Sequence, residues 1–166
     1  LLECIYDEIS DRPINDIDIL VSDSDVSDVV QIAKNFGFNF LASSNNKALN
    51  HYHILPMIHE DELSKLEIHT KIFKSKEILT SELLNDRLVI EKEDKNLFFL
   101  SNELNLLHLI FHGTSKGYFD VGLQYLFDIK QLTLKCHLNE LKLNEYISVL
   151  NLEKEVAITK SLLKNL

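Results

Sequence analysis

The chain has 166 residues and a mass of 19.2 kDa, the size of one domain or of a small domain with a helical appendage. Its net charge of −9 argues against a duplex-coating nucleic-acid binder, because such proteins depend on a basic surface. No apolar run reaches the roughly 18 residues of a membrane span, and the two cysteines form no metal or disulfide pattern. We therefore expect a globular protein of the reducing cytoplasm.

The negative charge is concentrated in the first 50 residues, which carry nine acids against three bases. Most of these acids are expected to form a solvated surface. Asp16 and Asp18 differ from the rest, because the segment Ile17–Val21 is apolar and predicts a buried strand. Side chains alternate along a strand, so the two carboxylates are expected on one face, about 7 Å apart.

A cation between Asp16 and Asp18 would make this arrangement favourable, because neighbouring carboxylates repel one another. Mg²⁺ is the natural candidate, since it is held by one or two carboxylates together with substrate phosphates. The alternative is a strand that simply ends in exposed acids. The spacing alone does not decide between these two interpretations.

The next predicted element is a helix over 23–36. The polar residues 22–25 are expected to cap its start, and Gly37 is expected to end it. Short strands are predicted over 38–41 and 51–58. The segment Ser64–Phe73 then alternates cleanly, with Leu66 and Ile68 on one face and polar residues on the other.

That polar face contributes Glu67, which joins Asp16 and Asp18 as a third carboxylate if the two strands pair side by side. Three acids on adjacent strands form a two-metal site that orients a nucleoside triphosphate. The alternative is an exposed sheet face with cross-strand ion pairs.

The second half of the chain is predicted to be helical. A short helix over 78–84 and extended segments at 87–91 and 96–100 come first, followed by helices over 101–115, capped by Ser101, and over 118–135, 139–149 and 152–165. We expect an α+β fold with a small mixed sheet and flanking helices in residues 1–95. An α-helical subdomain is expected in residues 96–166.

Three segments together resemble the uncharacterised bacterial nucleotidyltransferases of the DNA polymerase β-like superfamily. The segment Arg12–Val21 is similar to that family's Arg-Pro-x-x-Asp-Ile-Asp-Leu-Leu-Val signature. Leu66–His69 is similar to its Val-Asp-Leu-His strand. Leu107–Gly113, followed by Gln124–Ile129, resembles its helical Leu-x-x-His segment and a later aromatic-containing run that ends in Asp-Ile.

The resemblance implies a minimal nucleotidyltransferase sheet that uses Mg²⁺ or Mn²⁺ to move a nucleoside monophosphate from an NTP to a hydroxyl of a small molecule or protein. Asp16 and Asp18 would bind metal and phosphates, and Glu67 would be the third acid, activating the acceptor hydroxyl. The residues expected to bind the nucleotide or its phosphates are Arg12, His69, Lys71, His112 and Lys116. Asp128 is expected either to line the site or to pair with a nearby base. The acidic composition disfavours long nucleic acid as the acceptor.

Two departures from the family pattern leave other functions open. No Gly-Ser or Lys-Gly turn occurs between Leu1 and Asp16, so we expect this turn either upstream of Leu1, in a missing N-terminal start, or lost from the domain. Glu67 stands where the family has Asp. The main alternative is a non-catalytic nucleotidyltransferase-like binding or regulatory module, resembling an antitoxin. A phosphohydrolase or general metal-binding domain that uses the same carboxylates is a third option.

Overall fold

The computed structural model describes residues 5, 6, 8, 12, 16–40, 56–73, 80–115 and 123–164. The chain divides into two units, one formed by Pro13–Ser75 and the other by Leu1–Arg12 together with Lys76–Leu166. The fold is α+β, with a small mixed sheet and a helical C-terminal half, as the sequence predicts. The two extended segments predicted at 87–91 and 96–100 pair with each other as a separate hairpin. The predicted division into an α/β core over 1–95 and a helical subdomain over 96–166 stays a prediction.

The unit Pro13–Ser75 contains a four-stranded mixed sheet. Its elements are β1 (Ile17–Leu20), α1 (Val26–Asn35), β2 (Phe38–Phe40), β3 (Met57–His59) and β4 (Lys65–His69). The strand order is β1-β4-β3-β2, with β1 parallel to β4 and the other two pairings antiparallel. The predicted strand over 51–58 is seen from Met57 onward, and its residues 51–55 lie outside the described part of the chain.

One face of this sheet is apolar and packs against α1. Met57, Leu66 and Ile68 are buried together with Ala33 of α1, and Ile19 packs against this cluster. Alternation along β4 therefore turns Glu67 and His69 to the opposite face. The side chains of Glu67 and His69 on this opposite face are partly exposed.

The prediction that β1 is buried is wrong. The strand lies at one end of the described sheet, its residues are exposed or half-buried, and Ile17 is 48% exposed. An edge strand has a neighbour on one side only, so apolar residues in it keep contact with solvent. The apolar run specified a strand but contained no information on its place in the sheet.

The start of α1 also differs from the expectation, whereas its end agrees. Asp23–Asp25 forms a short 3₁₀ turn ahead of the helix, and no side-chain cap is made to the helical N–H groups. Gly37 follows the last turn with φ of 86°, in the left-handed region that glycine adopts without strain.

The other unit combines a hairpin with helices. Its elements are α2 (Thr80–Asn85), β5 (Arg87–Lys92), β6 (Lys95–Leu100), α3 (Asn102–Ser115), α4 (Gln124–Lys135), α5 (Glu140–Val149) and α6 (Glu153–Leu163). Helix α3 packs against α4, α5 and α6. The interior consists mainly of leucine and isoleucine side chains, including Leu104, Leu107, Ile110, Leu126, Ile129, Leu132, Leu150 and Leu152.

Asp86 joins three elements of this unit at the base of the hairpin. Its Oδ2 accepts hydrogen bonds from Ser101 Oγ and Tyr146 OH, each at 2.7 Å, and its Oδ1 pairs with the Lys142 ammonium group. Ser101 Oγ also accepts from Leu104 N at 3.4 Å, which confirms Ser101 as the cap of α3. Burial alone would raise the pKa of Asp86, but the three donors outweigh burial and hold that pKa below its usual value.

None of the helices in the described residues could cross a membrane, since even the 14-residue α3 is too short.

Candidate metal centre

The parallel pairing of β1 with β4 brings two acids from distant parts of the chain side by side. In the register of these strands Asp18 is the partner of Glu67, and Leu20 is the partner of His69. Glu67 and His69 are two residues apart on one strand, so they share a face with Asp18. The pairing of the two strands, on which the sequence-based site depended, is therefore present.

The side chains converge more closely than backbone spacing requires. His69 Nε2 lies 2.7 Å from Asp18 Oδ1 and 3.7 Å from Glu67 Oε2. One ligand atom from each of the three residues can be chosen so that all lie within 4.8 Å of one another. The side chains of Glu67 and His69 are about one quarter exposed, and that of Asp18 is 54% exposed. The cluster is thus accessible from solvent.

This geometry fits a divalent cation. Ligand atoms about 2.1 Å from one ion are separated from each other by roughly 3 to 4 Å, and the 3.7 Å between His69 Nε2 and Glu67 Oε2 lies in this range. The 2.7 Å contact between His69 and Asp18 is that of a hydrogen bond, which a cation bound to both side chains would replace. Two carboxylates and one imidazole also supply donor atoms that proteins use for such ions. Within the described part of the chain, Asp18, Glu67 and His69 are accordingly the group that could hold a metal.

A family model described as uncharacterised nucleotidyltransferase matches residues 1–166. The chain belongs to this nucleotidyltransferase family. No curated protein and no solved structure matches the chain. The description of the family indicates nucleotidyl transfer in general and names no substrate.

Asp16, predicted to share a site with Asp18 and Glu67, lies apart from them in the structure. Asp16 precedes β1, is exposed, and lies outside the group formed by Asp18, Glu67 and His69 among the described residues. Lys71, two residues beyond His69, is also exposed. Of the three acids predicted to form one site, the structure brings two together, and the roles of Asp16 and Lys71 stay predictions.

Arg12, predicted to bind phosphate, makes an ion pair with a buried carboxylate in the other unit. Its Nε donates to both oxygens of Asp128 on α4, at 2.9 and 3.1 Å, and Asp128 is fully buried. Tyr6 OH, at 2.5 Å, and Gln124 Nε2, at 3.0 Å, also donate to this carboxylate. Of the two roles expected for Asp128, lining the site or pairing with a base, the structure shows the pairing. The phosphate role of Arg12 stays a prediction.

His112, also predicted to contact the nucleotide, lies within an aromatic group on α3 and α4. Its ring stacks on Tyr125 with 5.0 Å between ring centroids and meets His108 edge-to-face at 5.9 Å. These contacts give His112 a packing role, and its nucleotide contact stays a prediction. Lys116 lies outside the described residues.

The close association of His69 with the two acids was not predicted. His69 was assigned to the nucleotide, whereas its imidazole lies against Asp18 and Glu67. The Glu-x-His spacing on an alternating strand was the available signal, because it places both side chains on one face. The strand pairing that was expected to bring Glu67 to the acids of β1 also brings His69 to Asp18.

Proposed function

We propose that this chain transfers a nucleoside monophosphate from an NTP to a hydroxyl group, with a divalent cation as cofactor. The observation that carries the proposal is the group Asp18, Glu67 and His69 on adjacent parallel strands of a nucleotidyltransferase family member. The acceptor hydroxyl belongs to a small molecule or a protein, since the net charge of −9 disfavours long nucleic acid.

The reaction exchanges one bond to phosphorus for another. The acceptor oxygen forms a bond to the α-phosphorus, the bond from that phosphorus to the bridging oxygen breaks, and pyrophosphate leaves. When bound, the divalent cation neutralises the triphosphate and orients the attacking and leaving oxygens. Positioning and charge neutralisation supply most of the rate enhancement in phosphoryl-type transfer, so no covalent intermediate with the protein is needed.

The chain's own residues have separate tasks in this proposal. Asp18 holds the cation, and Glu67, directly across the strand pair, binds the cation and takes the proton of the acceptor hydroxyl. Asp16, the exposed acid ahead of β1, serves a second cation that arrives with the triphosphate. Lys71, exposed just after β4, neutralises phosphate charge.

Pyrophosphate release tests this function directly. The full-length protein is incubated with each NTP, with Mg²⁺ or Mn²⁺, and with a panel of small-molecule and protein acceptors that carry hydroxyl groups. We expect pyrophosphate and a nucleotidylated acceptor from the wild type, and a loss of about a hundredfold or more in the Asp18→Ala/Glu67→Ala variant.

Asp61→Ala is a matched control, because Asp61 is an exposed acid of the same unit that pairs with a histidine, His59, away from the cluster. Equal turnover by the wild type and the Asp18→Ala/Glu67→Ala variant would refute the site. Tight binding of metal and NTP without turnover across the whole panel would favour the non-catalytic binding module instead.

A further inference from the structure

The position of His69 within the cluster suggests a role in metal choice. His69 ends β4, where its backbone carbonyl accepts a hydrogen bond from Val21 N at 2.9 Å, so the backbone that carries the imidazole is fixed to β1. The same ring nitrogen, Nε2, faces the carboxylate of Asp18 at 2.7 Å and that of Glu67 at 3.7 Å.

The role of His69 is inferred from the distance between its Nε2 and Glu67 Oε2, 3.7 Å. A separation of 3.7 Å exceeds that of a hydrogen bond, so these two atoms lie close together on one face of β4 without a direct hydrogen bond between them. Two ligands of one cation are commonly separated by about this distance, because each lies roughly 2 Å from the ion. A cation in contact with both carboxylates would therefore also lie within reach of Nε2.

We propose that His69 binds the cation through Nε2 and that this ligand makes the site prefer Mn²⁺ to Mg²⁺. The inference rests on the proposed function, since it concerns the same site. Mg²⁺ takes oxygen ligands almost exclusively, whereas imidazole nitrogen suits transition metals. Mn²⁺ accepts both the two carboxylates and the imidazole, and it also binds the oxygens of a triphosphate.

His59 provides an internal comparison for His69. It lies in the same sheet with a similar exposed fraction, 27% against 24%. Its Nδ1 contacts one carboxylate among the described residues, that of Asp61, at 3.0 Å. His59 thus resembles an ordinary surface His–Asp pair, and His59→Gln serves as the matched control for His69→Gln.

Pulsed electron paramagnetic resonance of Mn²⁺ bound to the full-length protein tests the inference without requiring turnover. We expect electron-spin-echo modulation from a coordinated ¹⁴N nucleus in the wild type and in His59→Gln, and its loss in His69→Gln. In the wild type, ¹⁵N-labelled histidine should replace the ¹⁴N pattern by that of ¹⁵N, so the result does not depend on the folding of any variant.

Calorimetric titration of each protein with Mn²⁺ and with Mg²⁺ measures the preference itself. The wild type should bind Mn²⁺ more tightly than Mg²⁺, and His69→Gln should reduce that ratio about tenfold or more, while His59→Gln leaves it unchanged. Mn²⁺ binding that requires Asp18 but shows no histidine nitrogen would overturn the role of His69 alone. Mn²⁺ binding that Asp18→Ala leaves unaltered, or no binding at all, would overturn the proposed metal site as well.

Discussion

Arg12 donates from one atom, Nε, to both carboxylate oxygens of Asp128, a residue 116 positions away in the chain. Asp128 has no exposed surface, and Tyr6 and Gln124 supply its other hydrogen bonds. A buried carboxylate needs such donors, because taking its charge out of water is costly unless it is paired. The ion pair thus anchors Arg12, the arginine of the Arg-Pro signature, to α4.

Removal of the Arg12 side chain should destabilise the unit that contains α4. We expect Arg12→Ala to lower the free energy of unfolding by about 3 kcal/mol, because it leaves the Asp128 charge buried without its cation. Urea denaturation, followed by circular dichroism, measures the change. Arg87, the other arginine of the chain, is an exposed control that stacks on Phe98, and Arg87→Ala should cost about 1 kcal/mol or less. Equal losses in the two variants would contradict the anchoring role.

Tyr6 should stabilise the folded state at neutral pH and lose this effect at alkaline pH. Burial, followed by the hydrogen bond to Asp128, raises the pKa of Tyr6 to about 12. A raised phenol pKa means that the folded state favours the protonated form, so this stability is present at neutral pH and is lost as pH rises from about 10 through 12. Tyr6→Phe should cost about 1 to 2 kcal/mol at pH 7. Urea denaturation at pH 7 and at higher pH should show this cost decreasing; a cost independent of pH would contradict the assignment.

Asp86 should show the opposite pH dependence. Its pKa is held low in the folded state, so its stabilising contribution is present above the ordinary carboxyl pKa of about 4 and is lost as pH falls through the folded value. Asp86→Asn should therefore cost about 1 to 3 kcal/mol at pH 7 and progressively less below about pH 4, measured by urea denaturation across this range.

The control for Asp86→Asn is Asp94→Asn in the turn between β5 and β6. Asp94 is exposed and has φ of 61°, a conformation that asparagine also tolerates. Asp94→Asn should leave the free energy of unfolding nearly unchanged across the same pH range. A cost of Asp86→Asn that grows on acidification would show that the carboxylate is not the stabilised form.

Asp16 and Asp18 should differ when the metal is titrated without nucleotide. Asp18 belongs to the cluster, whereas Asp16 lies outside it. Asp18→Asn should weaken Mn²⁺ binding by about tenfold or more, while Asp16→Asn should leave it within about threefold. Calorimetry in the absence of NTP makes the comparison. Equal losses would show that both acids bind the first cation.

The elements with the strongest local patterns were predicted well from the sequence. Strand β4 has strict alternation, and Leu66 and Ile68 are buried as expected while Glu67 and His69 face the other way. Helix α3 begins after its predicted cap, Ser101. These features depend on residues near one another in the chain, where side-chain periodicity and capping chemistry act directly.

The features that the sequence did not specify depend on distant residues. Nothing in the apolar run Ile17–Val21 indicated that β1 has a neighbour on one side only. The sequence pattern around Asp128 is that of an amphipathic helix and does not distinguish this residue from a surface acid. Its burial depends on Tyr6 and Arg12, which are more than a hundred residues away in the chain. His69 acquires its carboxylate neighbour from β1. A single sequence does not specify which distant residues will be in contact in the folded chain.

The order of the strands β1-β4-β3-β2 also bears on how the site is assembled during folding. Asp18 and His69 are 51 positions apart, and they meet only through a parallel pairing, which closes a long loop. Strand β4 pairs with its near neighbour β3 across a short turn, a contact with a much smaller loop-closure cost. We therefore expect β1 to dock late, onto a preformed antiparallel layer. A bound cation would then slow unfolding, since β1 could not detach without first releasing it.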